Sequence, residues 1–265
     1  MVIGRLAGLL VPGRSGTEPQ SQMIEVRHAG ECFGVEVRRS PTARRLILRV
    51  RGATRDAVLT IPKRTSIADA RSFAERQAAW IGTRLRRLPE TIYLEGGSVI
   101  PVRGISTLIL SCPNERGVAW FDAARANDGA LQALCVSGDP EHLPRRLVDF
   151  LRRECRRDLD RAVTAAAAKI GRPTPPITLR DTATRWGSCT ATGRLNFSWR
   201  LILAPPFVLD YLAAHEVAHL VHMNHSSKYW ALCRSLSPDT NRAEAWLNTQ
   251  GATLHRYRTR KALKA

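Results

Sequence analysis

The chain has 265 residues, is 44% apolar, and carries a formal charge of +18. That length can bury one large core or two small ones, and the absence of any uninterrupted apolar run of about 18 residues excludes a helical membrane span. The six cysteines, at 32, 112, 135, 155, 189 and 233, contain no CxxC pair, which excludes a disulfide framework and reads as reduced thiols in a cytoplasmic protein.

Taken in chain order, residues 1–22 read as a disordered or misannotated extension outside the folded chain. Arg5 interrupts the apolar stretch that would otherwise suggest a signal peptide. From residue 23, MIEVRHAGECFGVEVRRS reads as a hairpin, and RRLILRV and AVLTIP as further strands. Ser66 and Asp69 have the spacing of a capping box. One helix follows, with Phe73, Ala74, Trp80, Ile81, Leu85 and Leu88 at helical spacing, and Pro89 stops it. Short strands come next: TIYL, SVIPV, STLILS, GVAWF and LQALCV. Residues 23–138 are therefore expected to form a β-rich N-terminal domain carrying one helix.

Gly138-Asp139-Pro140 breaks that pattern. A long amphipathic helix follows, with Leu147, Phe150, Leu151, Leu159, Val163 and Ile170 near one stripe and arginines on the other side, ending at Gly171. TATG separates two strand-like runs, RWGSC and RLNFSWRLIL, so a β-hairpin is expected there. In the second run Asn196, Ser198 and Arg200 alternate with Leu195, Phe197, Trp199 and Leu201. Pro205-Pro206 opens an amphipathic helix over roughly 206–222, and a short helix should run from about Ser226 to Ser235. The expected fold class is α+β, with a C-terminal domain over 139–255 and a basic tail over 256–265.

The chemistry concentrates in AAHEVAHLVHMNH, residues 213–225, which holds four of the seven histidines. Positions i and i+4 share a helix face, so His215 and His219 can present two imidazoles to one ion. Glu216, one residue on, points beside that ion and can take a proton from a water bound there. A catalytic zinc needs a third protein ligand and an open position. His222 lies a turn too far along a straight helix. His225 can return if the helix ends near 222–224 and Asn224 adopts the left-handed conformation it tolerates. The predicted ligands are His215, His219 and His225, with one Zn2+ per chain and Glu216 as general base. This spacing equals that of the metzincins, but His222 replaces their glycine, and no methionine beyond His225 can form their Met-turn.

RWGSC (185–189), LNFSWRLILAPP (195–206), the His-Glu-x-x-His helix and MNHSSKYW (223–230) together resemble the YgjP-type metallopeptidases, zincins related to the SprT-like group. IPKRTSIADA and AAWIGTRLRRL extend the resemblance over about residues 23–250. It implies a minimal zincin domain, with zinc at His215, His219 and His225 and Glu216 as the catalytic carboxylate.

The expected function is zinc-dependent hydrolysis of peptide bonds in a peptide or protein substrate. An edge strand beside the active-site helix would pair with extended substrate, and Arg185, Asn196 and Tyr229 are candidate substrate contacts. The charge, carried by 36 Arg and five Lys, leaves two alternatives. One is a zinc-dependent nucleotide or phosphoester hydrolase. The other is a nucleic-acid-associated protein with a structural zinc. No membrane partner is expected.

Overall fold

The computed structural model describes residues 21–52, 54–127 and 129–260. Of the extension expected over 1–22, Ser21 and Gln22 instead open the first strand, while residues 1–20 and the last five residues of the basic tail lie outside the described residues. The chain forms two compact units, Met1–Pro89 and Glu90–Ala265. The division thus falls some fifty residues before the composition change near 139. The strands of residues 99–137 share one core with the helices that follow them, and residue 139 marks only the approach to the long helix. Among the described residues no helix is long and apolar enough to cross a membrane.

In the first unit, β1 (Ser21–His28) and β2 (Glu31–Ser40) form the expected hairpin. Its turn residues Ala29 and Gly30 have φ of 50° and 80°, the left-handed pair that a type I′ turn requires. β3 (Ile47–Arg51) and β4 (Asp56–Pro62) complete a sheet of order β1-β2-β4-β3, parallel only between β2 and β4. The helical region is two helices, α1 (Ile67–Arg76) and α2 (Ala78–Arg86), where the sequence suggested one. Gln77 between them leaves helical geometry, with ψ of 5°. Ser66 caps α1 by accepting a hydrogen bond from the Asp69 N–H at 3.0 Å. Ala70, Ala74, Ala78 and Ile81 bury against Ile24, Val35, Leu59 and Ile61.

The second unit begins with β5 (Ile92–Tyr93). It continues with β6 (Val99–Val102), β7 (Ile105–Cys112), β8 (Ala119–Asp122) and β9 (Gln132–Ser137), in sheet order β6-β7-β9-β8, parallel only between β7 and β9. The β6–β7 turn is Arg103-Gly104, with φ of 53° and 76°. The Arg103 guanidinium reaches Asp158 at 2.7 Å and the buried Glu154 at 2.8 Å, both on α3 (Leu143–Lys169). Leu147, Leu151, Leu159 and Val163 of α3 are fully buried, as their stripe requires. Gly171 ends the helix at φ 64°, with the Arg172 N–H reaching back to the Ala167 carbonyl.

A small sheet follows, of β10 (Ile177–Arg180), β11 (Gly187–Cys189) and β12 (Leu195–Ser198), in the order β10-β12-β11. β11 and β12 form the expected hairpin, and β11 lies at the sheet edge. The alternation read through Arg200 stops at Ser198, because residues 199–203 coil into a 3-10 helix whose members are all buried. Arg200 is drawn inward by Asp181 at 2.8 Å and by the carbonyls of Leu254 and Tyr257. α4 (Pro206–Ala218) is buried on nearly every side rather than amphipathic, the character of a central core helix. α5 (Ser227–Leu236), α6 (Thr240–Gln250) and β13 (Tyr257–Arg258), which pairs with β5, close the unit.

Candidate metal centre

Three imidazoles converge at the C-terminal end of α4. One ring nitrogen from each of His215, His219 and His225 falls within 4.8 Å of the others. α4 supplies the first two one turn apart, with His219 as the C-cap residue. The helix ends at Ala218, earlier than the 222–224 expected. The Leu220, Val221 and His222 N–H groups then bond to the carbonyls of Val217 and Ala218. This tight turn reverses the chain without a left-handed Asn224: among the described residues only Ala29, Arg55 and Arg103 are non-glycine residues with positive φ. Ser226 caps α5, which fixes His225 just ahead of that helix.

Each α4 histidine has its outer nitrogen held. His219 Nδ1 lies 3.0 Å from the carbonyl of His222 and donates to it. His222 therefore contributes its backbone to the site, and its ring is not among the converging ones. His215 Nδ1 lies 3.2 Å from the Tyr211 hydroxyl, which donates in turn to Glu244 on α6 at 3.1 Å. Both bonds place the proton on Nδ1 and leave Nε2 as a lone-pair donor facing the centre. Burial, with His219 and His225 close by, pushes His215 down to about 3, so it stays neutral at any physiological pH. Burial lowers His219 and His225 in the same direction.

Glu216 is 4% exposed and lies beneath β11, packed against Gly187. Burial raises this carboxyl to about 8, against the opposing pull of the Arg185 charge and of the Cys189 backbone nearby. A carboxyl balanced near neutrality is suited to accepting and returning a proton.

The remaining candidates separate. Arg185 and Asn196 line a cavity of about 330 Å³ beside β11. Tyr229 is fully buried, its ring stacked on His219 with centroids 4.6 Å apart, and its hydroxyl donates to the His215 carbonyl at 3.1 Å. With that hydroxyl satisfied inside the protein, Tyr229 supports the histidines and does not reach toward substrate. Sequence reasoning missed Tyr211, Glu244 and the role of Gly187, which packs directly on Glu216. Tyr211 was within reach, since it precedes His215 by one helical turn. Glu244 comes from another helix and carries no local signal.

No curated protein and no solved structure gives a significant match to the chain. The family model described as YgjP-like, metallopeptidase domain, matches residues 44–250, more than three-quarters of the sequence and all of the converging residues. The resemblance carried by RWGSC and the histidine helix is thereby established, and with it a metal-dependent hydrolase. The chain belongs to the YgjP-like metallopeptidase family.

Proposed function

We propose that the chain is a zinc peptidase, with His215, His219 and His225 holding one Zn2+ and Glu216 acting as general base. The observation that carries this reading is the donor set. His215 Nε2 and His225 Nε2 are 3.4 Å apart, the edge of a tetrahedron with Zn–N distances of about 2.0–2.1 Å. Three imidazoles, two of them with the outer nitrogen occupied, suit zinc better than the oxygen-seeking Mg2+ or Ca2+. When bound, the ion supplies Lewis-acid polarisation of the scissile carbonyl and lowers the pKa of water toward about 7.

The chain's own residues do the rest. An extended peptide adds to the free edge of β11 through main-chain hydrogen bonds, which sets its carbonyl beside Glu216. The Glu216 carboxylate takes a proton from the attacking water and returns it to the leaving amine.

The test is metal content together with hydrolysis of a peptide library and a nucleotide panel, for wild type and Glu216→Gln. Stoichiometric zinc in both proteins, with peptide cleavage only in wild type, supports the reading. Cleavage confined to the nucleotide panel replaces it with the phosphoester alternative, and wild type without stoichiometric metal overturns it.

A further inference from the structure

The cavity beside β11 has a charge that peptide hydrolysis alone does not call for. Strand pairing places its polar residues on one face of the small sheet. Asn196 on β12 is opposite Ser188 on β11 and Thr178 on β10, and Arg180 follows Thr178 by two positions. Residues two apart on a strand share a face, so Arg180, Ser188 and Asn196 point to the same side. The opposite side, with Leu195 and Phe197, is buried.

Arg180, Arg185, Thr182, Ser188, Thr190 and Asn196 line this cavity. Neither arginine has a carboxylate partner among the described residues, whereas Asp181, the acid between them in sequence, is taken by Arg200 at 2.8 Å. Two guanidiniums and several hydroxyl and amide groups thus face one space, alongside Trp186 and Phe197, with no ion-paired carboxylate and only the buried Glu216 felt by Arg185 beneath it.

The cavity also adjoins the reacting position. Gly187 belongs to its lining and is the residue packed on Glu216. Along a chain paired with the edge of β11, the residue beside Gly187 is presented to Glu216. Its neighbour beside Ser188 turns its side chain to the cavity face, about 3.3 Å further on.

We infer that this cavity binds an acidic side chain of the substrate, within two residues of the scissile bond, through Arg180 and Arg185. This selectivity rests on the peptidase reading above. A carboxylate there accepts charge-assisted hydrogen bonds from the guanidinium forks and one from the Ser188 hydroxyl, which accepts from Asn196 and keeps its own proton to donate. The amide isosteres Asn and Gln lose the charge and gain donors where the cavity already supplies donors.

The experiment compares peptides that differ only by Asp or Glu against Asn or Gln at positions flanking the cleaved bond. Wild type is expected to favour the acid over the amide by about tenfold in kcat/KM, the lower end for hydrogen bonds to a charged group. In Arg180→Gln/Arg185→Gln that ratio falls to near one, and in Arg185→Glu a Lys-containing peptide overtakes the acidic one. Both arginines are exposed, so these variants are expected to keep the wild-type circular dichroism spectrum.

A second arm measures binding of the same peptides to Glu216→Gln by fluorescence anisotropy, with ATP and inorganic pyrophosphate as competitors. Preferential, arginine-dependent binding of the acidic peptide without any cleavage by wild type keeps the recognition of an acidic side chain by Arg180 and Arg185 and removes the peptidase reading, with the placement beside a scissile bond. Equal use of acid and amide peptides, a preference that survives the double substitution, or arginine-dependent binding of ATP in place of peptide overturns the inference.

Discussion

A methyl group on Gly187 would lie 2.4 Å from Oε1 of Glu216. Two segments nearly thirty residues apart in sequence thus meet with room for hydrogen only, and the glycine of RWGSC is a steric requirement of the carboxylate. Gly187→Ala must displace either β11 or Glu216. Misplacement of a reacting group by about 1 Å costs on the order of a hundredfold in rate, so kcat/KM should fall by at least that much. The steric conflict falls on the Glu216 carboxylate and not on an imidazole, so metal content measured by mass spectrometry should stay at the wild-type level.

The hydrogen-bonded series from His215 through Tyr211 to Glu244 should set how tightly the site holds its ion. Removing such an outer partner typically weakens metal binding by about 10–100-fold. Tyr211→Phe and Glu244→Gln should both show this in competition with a chromophoric chelator. His222→Ala should not, because His219 is oriented by the backbone carbonyl of residue 222, which the substitution keeps.

His255 offers a pH signature away from the metal centre. Its ring stacks on Trp186 with centroids 4.9 Å apart. Burial, with the nearby Arg200, lowers it from 6.5 to about 4. A depressed folded-state pKa means that the unfolded chain takes up the proton first as pH falls. The stability this neutral ring contributes is therefore present above about pH 6.5 and is lost progressively toward about pH 4. Urea denaturation across that window should show a smaller loss for His255→Phe, which keeps the stack and cannot titrate, than for wild type.

Arg200 should matter for folding rather than chemistry. It is 9% exposed and holds Asp181 together with the carbonyls of Leu254 and Tyr257. Arg200→Met leaves these acceptors without their donor. Because Asp181 is half exposed, the cost should be about 2–4 kcal/mol, at or below the range for broken buried pairs. Chemical denaturation at neutral pH measures it.

What the sequence disclosed was local. Helical spacing brought His215 and His219 together, and the turn residues of TATG announced the β11–β12 hairpin. A capping residue located the start of α1. What it withheld depends on tertiary contacts. α4 looked amphipathic, yet α3, α5 and α6 leave it almost no solvent face. Strand alternation seemed to continue through Arg200, but burial of Trp199 and Leu201 with an internal partner for Arg200 coils that segment instead. Asn224 was a reasonable choice for a left-handed reversal, until hydrogen bonds from residues 220–222 to Val217 and Ala218 made the turn without it.

The strand orders β1-β2-β4-β3 and β6-β7-β9-β8 are one wiring scheme used twice. Each copy opens on a two-residue hairpin turn ending in glycine, has a single parallel pair at its middle, and leads into helix. The two copies share backbone plan more than side chains, Ala-Gly in one turn and Arg-Gly in the other, so no letter-by-letter comparison of the sequence displays the internal repetition. Every residue of the metal centre lies after the second copy, from Arg185 onward. The chain thus separates a twice-used framework from a single reactive segment.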